Sequence, residues 1–216
     1  MTARIRLASP DDAAQVAAIY ARFCTDTAVS FETVAPSPEE MAQRIRKITE
    51  RLPWLVLDDD DRIAGYVYAS PHRERAAYRW SADVAAYVAA DYRRRGVGRA
   101  LYAALFRILA AQGYFKAFAG VTLPNPASVG LHEAVGFERV GEYRGVGYKG
   151  GAWHDVRWYQ LALQPESPDP EPPRPLAAVL DTEAWKEALA AGLSLFPPAG
   201  APIETPAGTK SLKSRT

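Results

Sequence analysis

Asp91-Tyr92-Arg93-Arg94-Arg95-Gly96-Val97-Gly98-Arg99-Ala100-Leu101 joins a strand-like run at 84–88 to a helix-like run at 98–111. Gly96 and Gly98 let the backbone of this loop approach a ligand closely and take a positive φ. The helix that follows turns its unpaired N–H groups and the positive end of its dipole toward the same point. Loop and helix end together suit an anion such as a pyrophosphate. A phosphate-loop NTPase would need a lysine and then serine or threonine after the second glycine, where Arg99-Ala100 stands. A dinucleotide fold would need a third glycine on the first strand of a βαβ unit, and neither condition is met. On the loop alone, a solvated basic turn ahead of a helix stays open beside an anion site.

Composition narrows the field. The 216 residues, 48% of them apolar, are enough for one core of ordinary domain size. The 26 basic and 25 acidic residues leave a net charge of +1, which gives no pull toward nucleic acid or a membrane surface. Apolar runs are short and interrupted, and Met-Thr-Ala-Arg-Ile-Arg at the start lacks the apolar stretch of a signal peptide. A cytoplasmic location is the expectation. Cys24 is alone, which excludes an internal disulfide and a cysteine zinc cluster. Ten of the 17 prolines follow Gln164, so a domain over 1–164 is expected to give way to a proline-rich extension over 165–216. Within the extension one helix is expected over 181–195, capped by Asp181 or Thr182, and a flexible tail from Pro197, with docking of the extension on the domain or on a second subunit left open.

The pattern before residue 164 alternates strands and helices. A strand over 4–7 precedes a helix from Pro10 capped by Ser9, and Ser37-Pro38-Glu39-Glu40 repeats the start signal for a second helix. Strands are expected over 54–57, 62–69 and 78–88, then a helix from Gly98 closed by Gly113. A strand over 117–121, a helix over 127–135 and strands over 137–147 and 156–163 complete a mixed α/β order. Trp80, Trp153 and Trp158 read as core residues.

Arg93-x-x-Gly96-x-Gly98 between a strand and a helix resembles the acetyl-CoA pyrophosphate loop of the GNAT N-acetyltransferases. The segment Leu123-Pro124-Asn125-Pro126-Ala127-Ser128-Val129-Gly130-Leu131-His132-Glu133 resembles a later motif of that family. Tyr78-Arg79-Trp80-Ser81-Ala82-Asp83, Tyr87-Val88, and Gly147-Tyr148-Lys149 with Trp153-His154-Asp155-Val156 narrow the resemblance. They are similar to the phosphinothricin and methionine sulfoximine N-acetyltransferases, over about residues 4–163. The implied fold is a GNAT-type mixed, mostly antiparallel central sheet flanked by helices. The extension has no counterpart in it.

The resemblance also implies roles. N–H groups of Arg94, Arg95, Gly96, Val97, Gly98 and Arg99 would hold the pyrophosphate of acetyl-CoA. Ala86, Tyr87 and Val88 would pair with the pantetheine arm as an added strand. Asn125 would contact the donor, cap the following helix, or both. Asp83 stands where the subfamily carries Glu, so the carboxylate reaches about one C–C bond, ~1.5 Å, less far. It is either the base that takes a proton from the amine or a carboxylate that binds substrate. His132 is either a catalytic acid–base or a packed structural histidine. Arg73 and Arg75 suit a carboxylate or phosphinate by paired hydrogen bonds, with Phe31 and Tyr78 as the aromatic wall and hydroxyl partner. His72 and His154 carry weaker signals, His154 reading as the orderer of a turn, and the three histidines lack metal-ligand spacing.

The expected activity is acetyl transfer from acetyl-CoA to the α-amino group of a small amino-acid-like substrate, in a homodimer and without a metal. Two rivals remain: acetylation of another primary amine, and a non-catalytic module that senses acetyl-CoA. Arg73 and Arg75 speak against a polyamine, which they would repel.

Overall fold

Strand β1 (Ala3–Leu7) lies antiparallel to β2 (Trp54–Asp59), the first pair of a seven-stranded sheet. The structure is a computed structural model that describes residues 3–197. The stretch after Ser9 begins as a 3-10 turn, Pro10–Asp12, and only then becomes helix α1 (Ala13–Thr25). The Asp12 carboxylate explains the delay, since it turns back to accept from the Ser9 N–H at 2.8 Å and from Arg6 at 2.7 and 2.8 Å. Helix α2 (Pro38–Thr49) opens on a full capping box. The Ser37 hydroxyl accepts from Glu40 N at 3.2 Å, and the Glu40 carboxylate accepts from Ser37 N at 2.7 Å.

Strand β2 turns through Asp60 and Asp61 into β3 (Arg62–Pro71), which pairs with β4 (Ser81–Val88). Helix α3 (Val97–Gln112) crosses to β5 (Lys116–Thr122), parallel to β4, and ends at Gly113 with a left-handed φ of 95°. Helix α4 (Pro126–Ala134) leads to β6 (Glu138–Lys149) and β7 (Ala152–Ala162). The sheet order is β1-β2-β3-β4-β5-β7-β6, and every neighbouring pair is antiparallel except β4–β5.

Side chains of β2 and β3 alternate between two cores. Trp54, Val56 and Tyr66 face Val16, Tyr20, Met41 and Ile45 of α1 and α2. Leu55, Leu57 and Val67 face Leu101, Leu105 and Ile108 of α3. Both faces of β2 are thus buried, which is why it reads as a continuous apolar run.

Two expectations need correction, the ends of the last two strands and the tryptophans read as core. The last two strands run on to a hairpin that closes at Gly150 and Gly151, both at positive φ, and a bulge between Tyr143 and Gly147 absorbs the extra residues. His154 lies within β7, and its Nε2, 2.9 Å from the Lys149 carbonyl, ties together the two sides of that turn, the ordering role expected of it. Trp153 is 68% exposed beside Tyr148, because this end of the hairpin projects past the layers that would cover it. Trp80 is half-buried and donates from Nε1 to the Glu171 carbonyl at 2.8 Å, while Trp158 is half-buried on β7.

The change of composition at residue 164 is not a change of packing. Leu176, Val179, Trp185, Ala188 and Phe196 belong to the same buried cluster as α3. Gln112 stitches the proline-rich run to α3, accepting from Arg174 N at 2.7 Å through its backbone carbonyl and donating from Nε2 to Arg174 O at 3.0 Å. Helix α5 (Glu183–Leu193) is capped by Thr182, whose hydroxyl accepts from Trp185 N at 3.3 Å. Asp181 precedes the cap at a φ of 59°. A Cβ on Gly192 would stand 2.5 Å from the Ala100 carbonyl, so α5 and α3 touch backbone to backbone. The expected flexible tail from Pro198 onward lies outside the described residues. Among the described residues no helix is long and apolar enough to cross a membrane.

Gly192→Val is expected to separate α5 from α3 at a cost of about 1–3 kcal/mol, read as a lower melting temperature by calorimetry. An unchanged melting temperature would mean that α5 does not pack as described.

Candidate active site

Strands β4 and β5 pair only where Ser81, Ala82 and Asp83 meet Lys116, Ala117 and Phe118. Beyond that point β4 continues to Val88, still paired with β3, and β5 continues to Thr122, still paired with β7. The backbone groups of 84–88 that face β5 therefore have no strand partner among the described residues. Ala86, Tyr87 and Val88 lie on this open edge, where an extended chain can add by main-chain hydrogen bonds. The Tyr87 ring turns away to stack on Tyr66 at 5.3 Å and to meet Tyr20 and Phe23 edge-on, so only its backbone serves the gap.

The gap opens toward the basic loop. Its first part is a 3-10 turn, Ala90–Tyr92, pinned by a hydrogen bond from the Tyr92 hydroxyl to Asp59 at 2.9 Å. Arg94 and Gly96 both take positive φ, 60° and 80°, and α3 starts at Val97 with no side-chain cap. The N–H groups of Val97, Gly98 and Arg99 precede the first intrahelical bond, from Ala100 N to Gly96 O at 2.9 Å, and so are free for an anion. Arg94 and Arg99 are exposed. Arg95 is held over Tyr92 at 4.7 Å and near Phe196 at 5.9 Å, and Arg93 lies over Phe23 at 5.7 Å. Gly98 is glycine for a second reason: a Cβ there would stand 2.8 Å from Leu131 of α4. Asn125 caps α4, its Oδ1 accepting from Ser128 N at 3.1 Å.

Asp83 is the residue of β4 at which the pairing with β5 ends, and it shares a sheet face with Tyr87. Its carboxylate lies 2.6 Å from Nδ1 of His72. The imidazole stacks on Phe118 at 4.4 Å and meets Tyr78 edge-on at 5.8 Å. Burial is the largest influence on the Asp83 carboxyl and raises it above the ordinary aspartate value, against the opposing pull of His72 and Arg73. A cavity of about 440 Å³ opens on the same side of the sheet, between α2 and the Trp54, Tyr66, Tyr68 and Ser70 side.

Of the expected substrate residues, two stand beside this pair, and a third lies on the adjoining turn. Tyr78 touches His72, Arg73 donates to the His72 carbonyl at 2.9 Å, and Arg75 stands at the start of the 3-10 turn that carries Tyr78, with no side-chain hydrogen bond to it. Phe31 instead packs against Gly147 of the hairpin, 40% exposed. Lys149 holds that segment by donating to the Ser30 and Glu32 carbonyls at 2.6 and 2.8 Å. His132 is 5% exposed in the core between α3, α4 and β7. Nδ1 lies 2.7 Å from the Ser128 carbonyl and Nε2 lies 3.1 Å from the Tyr102 hydroxyl, so both ring nitrogens are engaged. Burial is the largest influence on this imidazole and lowers its pKa, keeping it neutral. No group of three or more histidine, cysteine, aspartate or glutamate residues suited to a metal occurs among the described residues.

His72 was the residue that sequence reasoning undervalued. The β3–β4 register could have found it: Ser70 faces Asp83, which puts His72 two residues further along on the same face.

The family model for the acetyltransferase (GNAT) domain matches residues 5–158. A phosphinothricin N-acetyltransferase of Streptomyces viridochromogenes is 37% identical over 81% of this chain and 95% of its own length. An L-methionine sulfoximine/L-methionine sulfone acetyltransferase of Pseudomonas paraeruginosa is 33% identical over 76% of this chain and 97% of its own. The crystal structure of a phosphinothricin acetyltransferase from Sinorhizobium meliloti in complex with AcCoA superposes with a TM-score of 0.74. It is 31% identical and covers 82% of this chain and 99% of its own.

The packing of His132 carries its own test. His132→Ala should lower stability on the order of 2–4 kcal/mol by leaving a cavity and unpairing Tyr102, measured by denaturant titration. A loss below about 0.5 kcal/mol would contradict the buried placement.

Proposed function

Since the chain belongs to the GNAT acetyltransferase family, we propose that it moves an acetyl group from acetyl-CoA to the α-amino group of a small amino-acid-like substrate. Phosphinothricin and methionine sulfoximine are the expected substrate type, as in the names of its relatives. The parting of β4 and β5 at Asp83, opening onto an uncapped helix N-terminus, is the observation that carries the proposal. A pantetheine arm fits the unpaired edge, and a pyrophosphate fits the free N–H groups of Val97, Gly98 and Arg99. Asn125 has spent Oδ1 on its cap and keeps its amide N–H groups for the donor.

Acetyl transfer to an α-amine requires loss of a proton from the ammonium, attack on the thioester carbon, and departure of a thiolate that is then protonated. Asp83 is the carboxylate beside the point where the amine must meet the thioester. Arg73 and Tyr78 stand beside it with groups for the acidic end of an amino-acid substrate, and the resemblance adds Arg75 to them and Phe31, packed on Gly147, as an aromatic wall. We assign His132 to holding α4 against α3, since its nitrogens already have partners within the fold. The balanced charge, +1, supports a small-molecule acceptor in the cytoplasm rather than a nucleic acid or membrane partner. Exposed Val140, Tyr143, Val146, Tyr148 and Trp153 on β6 and β7 support a homodimer that covers this face.

Thiol release from acetyl-CoA, measured with phosphinothricin, methionine sulfoximine, glutamate, spermidine and a short peptide, tests the reading. Turnover with the first two and little with spermidine is expected; binding of acetyl-CoA without turnover on any amine would overturn it. Asp83→Ala should lower kcat about 100-fold or more while acetyl-CoA still binds, and near-normal turnover would remove Asp83 from the chemistry. Gly96→Val should weaken acetyl-CoA binding about tenfold in a calorimetric titration, because a β-branched residue is strained at this φ. An unchanged affinity would place the pyrophosphate elsewhere.

A further inference from the structure

We propose that His72 and Asp83 form one proton-accepting unit, in which Nε2 of His72 takes the proton from the substrate ammonium and Asp83 orients the ring. This rests on the acetyl-transfer reading and deepens it.

Four observations converge on the pair. The Nδ1–Oδ1 separation of 2.6 Å is that of a short, charge-assisted hydrogen bond. Both neighbours that fix the ring stand at the base of the gap: Asp83 and Phe118 are the paired residues of β4 and β5 at which pairing stops. Tyr78 closes the edge of the ring, so its plane is set from three sides. Nε2 has no hydrogen-bond partner among the described residues, and 13% of the side chain remains open.

With Nδ1 tied to the carboxylate, the lone pair of the neutral imidazole sits on Nε2. Burial lifts the Asp83 carboxyl, yet the bond to Nδ1 needs only one proton shared between the two groups. The proposal assigns the second proton to Nε2, the open ring nitrogen, where the charge that forms is compensated by Asp83 within the same hydrogen bond.

In the reaction an ammonium N–H bond breaks and its proton passes to Nε2, then to solvent. The freed nitrogen lone pair forms the C–N bond to the acetyl carbon. As the C–S bond breaks, the sulfur keeps its electron pair and takes up the second proton lost by the nitrogen. No oxidant or reductant enters. The unit also accommodates Asp at position 83, where the resemblance implies Glu. A carboxylate shorter by one C–C bond, ~1.5 Å, suffices because it must reach an imidazole and not the amine. The charged and titratable groups around the ring are Asp83 from β4, Arg73 and Tyr78 from the loop after β3, and Tyr68 of β3, which interacts with Asp83; Phe118 of β5 is neutral.

His72→Gln measures the claim. Its kcat should fall about 100-fold with the KM for the amine within about threefold and acetyl-CoA affinity unchanged. The acid limb of the kcat/KM profile should change, because the group that accepts the ammonium proton is gone. Asp83→Asn should show the same fall in kcat, because its amide donates to Nδ1 and shifts the ring proton to Nε2. A His72→Gln enzyme with near wild-type kcat overturns the proposal. So does one whose acid limb is unmoved, or whose only change is a higher KM. Where His72→Gln does not fold, His72→Asn carries the same measurement. Absence of turnover in wild type on every amine would instead be a failure of the acetyl-transfer reading, so the two failures are distinguishable.

Discussion

Strands β4 and β5 are joined by three residue pairs, and the proposed site is built on where that joining ends. Each strand is secured on its outer side, β4 by β3 and β5 by β7, so the gap between them is held open by the rest of the sheet. Their parallel orientation requires a crossover, which α3 supplies, and the crossover places the start of α3 at the mouth of the same gap. One topological constraint thus gives an unpaired strand edge, an uncapped helix N-terminus and a carboxylate at the crotch between them. The GNAT family uses acetyl-CoA as donor, and an elongated thioester with a pyrophosphate matches those features in that order.

The C-terminal extension bears on this arrangement. Helix α5 packs along α3, and the segment after it brings the Leu195 carbonyl within 3.0 Å of where a Cβ on Gly96 would be, with Phe196 near Arg95. The basic loop is therefore supported from behind by residues that lie beyond the match to the family model, which stops at residue 158.

Local signals were legible wherever a short-range physical rule applies. Ser37 and Glu40, Thr182, Gly113 and the prolines at the helix starts announced the caps and ends that the structure contains. In the basic loop, the glycines and the helix start were visible in sequence, and the structure contains the positive φ at Gly96 and the uncapped start of α3. What stayed hidden depended on distant pairing. The hairpin runs to Gly150 because a bulge near Gly145 keeps the strands in contact, and a run of glycines reads as a stop. Trp153 read as core because its size suggests burial, while its exposure follows from how far the hairpin projects. The helix over 181–195 was legible, and its docking was not, since Gly192 looks like a helix weakness until Ala100 is seen against it. His72 looked like a loop residue until the β3–β4 register brought it to Asp83.

Backbone amide exchange with and without acetyl-CoA tests the central claim most directly. Slower exchange is predicted both at the amides of 84–88 that face β5 and at 97–99, since the first would gain a strand partner and the second an anion. The exposed hairpin around Tyr148 and Trp153 should change little. Bound acetyl-CoA that leaves 84–88 exchanging at its free rate would contradict the account, because the donor would then lie outside the gap between β4 and β5.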